Sequence, residues 1–128
     1  MNAKRFEYSV SAAHEEGLDP DRSWSPEDLV LAGLVQCTLA SLAFYAEREG
    51  IDAAGSGGAD GVVTKRDSDG RYAFVEILCG LDVRLEPRPD DGKLGALLDS
   101  AEWGCFIGAS LTVKPRYEWR VNGELMER

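Results

Sequence analysis

The spacing of apolar and polar residues switches between the two-residue period of a strand and the longer period of a helix. Arg5 to Ala12 (RFEYSVSA) alternates apolar and polar positions and is rich in aromatic and β-branched types, which predicts a first strand. His14 to Ser23 is acidic and turn-rich and reads as a loop. The clearest element follows. Ser25 is a good N-cap, Pro26 suits the first helical position, and Asp28 completes an S-x-x-D capping box. Glu27 and Asp28 complement the positive end of the helix dipole. The predicted helix runs to about Glu49 and stops at Gly50. Its central stretch, Leu29 to Ala46, is eighteen residues long, has no formal charge and is apolar on almost every side, so it has to be enclosed. A membrane crossing needs about 20 apolar residues. This stretch contains Gln36, Thr38 and Ser41, is bounded by charged ends, and is followed by no second hydrophobic segment. It therefore reads as a helix buried in protein.

Ala53 to Gly58 (AAGSGG) reads as a flexible link. Gly61 to Arg66 predicts a strand and Ser68-Asp69-Gly70 a hairpin turn. Arg71 to Leu85 predicts a long strand with Tyr72, Phe74, Glu76 and Leu78 on one face and a bulge at Gly80. Pro87 to Asp91 interrupts the chain. From Lys93, the spacing of Leu94, Leu97, Leu98 and Ala101 is a helical stripe, which Cys105 joins if Gly104 does not kink the helix. Leu111 to Val121 predicts a last strand, with Pro115 pointing to an edge position. Strand and helix runs are segregated enough to predict a single α+β domain over residues 1–128, a long central helix on an antiparallel sheet. One sheet and two helices cannot cover every side of that helix, so the pattern predicts a homodimer.

Composition narrows the function. The 128 residues are 44% hydrophobic, enough for a packed core. A net charge of −9 argues against nucleic-acid partners and against anionic membrane surfaces, both of which call for clustered Lys and Arg. Met1 to Tyr8 is polar and charged, without the apolar core of a secretory signal. Three well-separated cysteines, Cys37, Cys79 and Cys105, then read as reduced thiols of a cytoplasmic protein. Neither they nor the lone His14 show C-x-x-C or H-x-x-x-H spacing, and no metal or cofactor is expected.

Cys37 lies in mid-helix among Gly33, Leu34, Ala40 and Ser41 at three and four residues' distance. Three of these are small, which fits either close helix packing or room beside a working sulfur. Cys105 follows Gly104 at the expected helix break, where a helix N-terminus lowers a thiol's pKa; a buried core cysteine is the competing reading. Cys79, in a strand between Leu78 and Gly80, reads as structural. Glu27 reads as a dipole partner of the helix and Arg22 as a solvated loop charge.

Two motifs add to this. Ser25-Pro26-Glu27-Asp28-Leu29, then Ala32-Gly33, then Cys37 resembles the [NS]-P-E-[EQD]-L…A…C signature of the OsmC/Ohr family, the osmotically inducible protein C and organic hydroperoxide resistance proteins. Ala101 to Cys105 followed by Ala109-Ser110-Leu111 resembles its second motif, A-x-x-x-C-P-x-S-x-x-L. Here the C-P reads Cys105-Phe106 and the serine position is Gly108, as in an OsmC-like subfamily with C-F-I-x-x-S. The resemblance implies an intertwined α+β homodimer with two central helices packed together. It implies a cysteine peroxidase for organic hydroperoxides, with Cys37 peroxidatic, Cys105 resolving and a lipoyl-type dithiol as reductant. Glu27 matches the acid that orients a catalytic arginine. Arg22 is the one arginine in the loop before it, and Arg5 on the first strand is the other candidate. Ten helical residues span about 15 Å, so an arginine has to bridge part of the way from Glu27 to Cys37. A non-enzymatic relative, binding a small apolar ligand near Cys37, is the alternative.

Overall fold

The computed structural model of the chain describes residues 3–13 and 17–128; His14, the one histidine, lies outside them. The long helix α1 (Pro26–Arg48) starts as its sequence demands. Ser25 Oγ accepts from the Asp28 amide at 3.0 Å, and the Asp28 carboxylate accepts from the Ser25 amide at 3.2 Å. It ends at the Glu49 cap and at Gly50, whose φ of 70° is the left-handed conformation that glycine adopts without strain. Half of its most apolar stretch is buried within the chain.

Beneath α1 lies a five-stranded sheet in sequence order: β1 (Phe6–Ala13), β2 (Asp52–Lys65), β3 (Tyr72–Glu86), β4 (Arg116–Val121) and the short β5 (Glu124–Leu125). The sheet is mixed, not antiparallel as expected, because β3 and β4 run parallel. A parallel pair needs a crossover, and α2 (Asp91–Trp103) with the five-residue α3 (Phe106–Ser110) supplies it. On β3 the alternate residues Ile77, Cys79, Leu81, Val83 and Leu85 are buried and form the core with Leu31, Leu34, Val35 and Leu42 of α1.

Three strand predictions are corrected. Ala53 to Gly58 is no link but the first half of β2, paired with β3 from Asp52 against Glu86 onward. Its glycines serve close packing: a Cβ on Gly57 would stand 2.5 Å from the Gly80 carbonyl oxygen and 3.2 Å from a Val35 methyl of α1. Gly80 is no bulge and simply faces Gly58; the register shift lies between Val62 and Val63, opposite Val75. An extra residue reverses the alternation, so Phe74 reaches the core from an even position and Ile77 from an odd one. The last strand begins at Arg116, not Leu111, and β5 covers its outer side, so Pro115 precedes a strand rather than sitting in an edge.

Candidate functional site: a thiol cluster under the central helix

The break expected at Gly104 is present, and it brings Cys105 to α1. Cys105 is the N-cap of α3, fully buried, with its sulfur 3.4 Å from the Gly108 amide that donates to it. Thr38, next to Cys37 in the chain and buried, places its hydroxyl 3.4 Å from the same sulfur and 2.8 Å from the Leu34 carbonyl oxygen. One hydroxyl carries one proton. Facing a thiol, Thr38 donates to Leu34 and accepts from the sulfur; facing a thiolate, it donates to the sulfur instead.

Cys37 is half-buried, and its thiol is near enough to Cys105 to act on it. Burial is the main cause that pushes the Cys105 thiol above its ordinary pKa. Thr38 and the Gly108 amide pull the other way, and hydrogen bonding and charge from Cys37 push it further up. Cys105 is thus held as the proton-bearing partner of the pair. Cys79 stands behind them on β3, opposite Tyr117 of β4. Its thiol is pushed up to about 12, chiefly by burial and then by Cys105. At neutral pH it is inert, as its strand position predicted. Burial and the two nearby sulfurs likewise keep the Tyr117 hydroxyl protonated.

Gly108, which replaces the serine of the resembling motif, has a local reason. A side chain there would place its Cβ 2.7 Å from the Tyr117 hydroxyl.

Arg22 sits elsewhere. Its guanidinium lies 3.4 Å from the Asp28 carboxylate, donates to the Ser9 carbonyl at 3.2 Å and covers the Trp24 ring at 4.4 Å. Asp28, not Glu27, makes this ion pair, and Cys37 is nine residues further along α1, about 14 Å. Glu27 is half-buried near Tyr8; burial first, then Glu27 and Asp28, raise the Tyr8 hydroxyl. Arg5 pairs with Glu7 at 3.2 Å on the open surface. The structure therefore brings Cys37 near Cys105 and leaves Arg5 just before β1, Arg22 in the loop before α1 and Glu27 in the first turn of α1. Thr38 and Tyr117 are neighbours of the thiols that the sequence did not single out. Thr38 had a visible signal, a polar residue inside an apolar helix. Tyr117 had none, since it meets Cys79 only through the parallel pairing.

A long helix over a five-stranded mixed sheet, with one thiol half-buried on the helix and a second buried at the crossover, defines an α+β protein of this fold class. The family model for OsmC-like protein matches residues 19–120, and the chain belongs to that family. Among solved structures it is similar to an OsmC-like protein of unknown function from Vibrio cholerae, with a TM-score of 0.66 and 20% identity over 73% of this chain. The match spans 62% of the Vibrio protein. It is also similar to an OsmC-like protein from Mycoplasma pneumoniae (TM-score 0.63, 17% identity, 94% of this chain and 99% of that one). A third likeness is the organic hydroperoxide resistance protein OhrB of Bacillus subtilis (TM-score 0.54, 21% identity, 95% and 98%). No curated protein matches the sequence.

Proposed function

We propose that the protein is a thiol peroxidase that reduces organic hydroperoxides. The observation that carries this reading is the half-open Cys37 thiol set against the buried Cys105 thiol. Cys37, as thiolate, attacks the peroxide, and its sulfur becomes a sulfenic acid. Cys105 then condenses with it to a disulfide, and a dithiol reductant of lipoyl type restores both. In this reading Arg22 activates Cys37 only by leaving Asp28, which lies nine residues or about 14 Å along α1 from Cys37, and reaching the thiol within the chain or from the second protomer. Family relatives named as organic hydroperoxide resistance proteins support the substrate class. After one equivalent of cumene hydroperoxide, mass spectrometry is expected to find a Cys37–Cys105 disulfide; a linkage through Cys79 overturns the assignment.

We also propose that the working form is a cytoplasmic homodimer. Leu29, Gly33, Cys37, Ala40 and Phe44 make an uncovered apolar stripe along α1, with Leu29 and Phe44 exposed. Trp103 and Phe106, beside Cys105 in the chain, keep 81% and 80% of their surface. Exposed aromatics of this kind mark an interface. Sedimentation at micromolar concentration is expected to give twice the 14.0 kDa chain mass, and a stable monomer refutes the dimer. The attachment of Arg22 to Asp28 favours a second reading, a non-enzymatic dimer that binds a small apolar ligand near Cys37.

A further inference from the structure

One polar atom a helical turn beyond Cys37 and next to Gly104 has no hydrogen-bond partner among the described residues. Ser41 keeps 8% of its surface, and its Oγ is buried and unpaired. A helical hydroxyl has a ready remedy in the carbonyl four residues back. Thr38 takes it, bonding Leu34 at 2.8 Å, and Ser41 does not. Ser41 follows Cys37 by one helical turn. Helical side chains lean toward the N-terminus, so Ser41 leans over the turn that carries Cys37. From the other side, a Cβ built on Gly104 would lie 2.7 Å from Ser41 Oγ, and Gly104 immediately precedes Cys105. The free hydroxyl is therefore held between the part of α1 that carries one sulfur and the break that carries the other.

We infer that Ser41 donates a hydrogen bond to the oxygen that oxidation places on Cys37. This orients the sulfenic acid for attack by Cys105. The inference rests on the peroxidase reading and goes beyond it by assigning a donor for the second step. In the first step the Cys37 thiolate takes one oxygen from the hydroperoxide. The O–O bond breaks, an S–O bond forms, and the alkoxide leaves as an alcohol, taking from solvent the proton that the Cys37 thiol released on ionising. In the second step the Cys105 sulfur attacks the Cys37 sulfur. An S–S bond forms, the S–O bond breaks, and the oxygen leaves as water with the proton given up by Cys105. Cβ atoms one turn apart are about 5–6 Å from each other, a gap that an S–O group and a serine hydroxyl fill with one hydrogen bond. A donor whose acceptor exists only during the reaction is unpaired in the reduced protein.

The test compares Ser41→Ala and Ser41→Thr, each alone and with Cys105→Ser. Cumene hydroperoxide is the oxidant, dimedone traps sulfenic acid for mass spectrometry, and thermal unfolding is followed in parallel. Ser41→Ala is expected to slow disulfide formation about tenfold, the worth of one hydrogen bond, with the first oxidation unchanged. Combined with Cys105→Ser, it is expected to shorten the sulfenic acid's lifetime as over-oxidation takes over. Ser41→Thr keeps the hydroxyl and is expected to restore both. A residue that only packs gives a different result: Ser41→Ala melts at the same temperature or higher and forms the disulfide at the wild-type rate. That outcome overturns the inference while leaving the peroxidase reading in place. A chain that forms neither sulfenic acid nor disulfide in any background refutes the peroxidase reading, and the role of Ser41 falls with it.

Discussion

Cys37→Ser is expected to abolish consumption of alkyl hydroperoxide, while Cys105→Ser leaves a single oxidation intact. The asymmetry follows from where the sulfurs lie. A thiolate, not a thiol, attacks a peroxide, and of the two Cys37 is the one that its own chain leaves only half-buried. A serine hydroxyl there does not ionise near neutrality. Cys105 is fully buried and held protonated, so it serves only once an oxidised sulfur stands beside it. Without it the Cys37 sulfenic acid persists or over-oxidises. Cys79→Ser is expected to leave turnover intact, because that thiol is pushed up to about 12. Arg22→Ala is expected to slow the first oxidation. Stopped-flow kinetics with dihydrolipoamide as reductant reads all four variants. Equal, near-zero consumption in every variant and in the wild type would sink the enzyme reading in favour of the binding module.

The largest stability effect expected from a single small substitution is at Gly57. Its added Cβ meets the Gly80 carbonyl oxygen at 2.5 Å and Leu81 and Val35 side chains at 3.0 and 3.2 Å. The first of these is backbone, so relief requires β2 and β3 to part or α1 to lift. Overpacking of this kind costs about 1–3 kcal/mol or more, and Gly57→Ala is expected to lower the Tm by roughly 5–10 °C. Gly80→Ala is the control. Its nearest neighbour is the Gly58 carbonyl oxygen at 3.8 Å, an ordinary contact, so its effect should stay within about 0.5 kcal/mol. Equal melting temperatures for the two variants would remove the close-packing account of β2.

This pair of glycines also shows what the sequence could and could not convey. The start and stop of α1 were legible because each rests on residues within one turn, Ser25 to Asp28 and Glu49-Gly50. β2 was not. AAGSGG carries the composition of a linker, and its glycines acquire their meaning only from α1 lying above them. The kink at Gly104 was visible as a break, and the motifs singled out the two cysteines, Cys37 and Cys105, that the fold brings near each other. Their neighbours were not visible. Tyr117 reaches Cys79 through a strand pairing that depends on the crossover, and the choice of Asp28 over Glu27 by Arg22 is decided by side-chain direction on adjacent helical positions.

The parallel run of β3 and β4 has a further consequence, for when the two sulfurs first meet. A parallel neighbour is reached only by a return journey of the chain, and the loop entropy of that journey is repaid only when the strands pair. Cys105 rides on the return journey, whereas Cys37 belongs to a helix already capped by its own local residues. A nascent or partly unfolded chain therefore carries all three cysteines without carrying the pair. The nearness of Cys37 and Cys105 is a property of the finished topology, and the chain acquires it only when β4 docks.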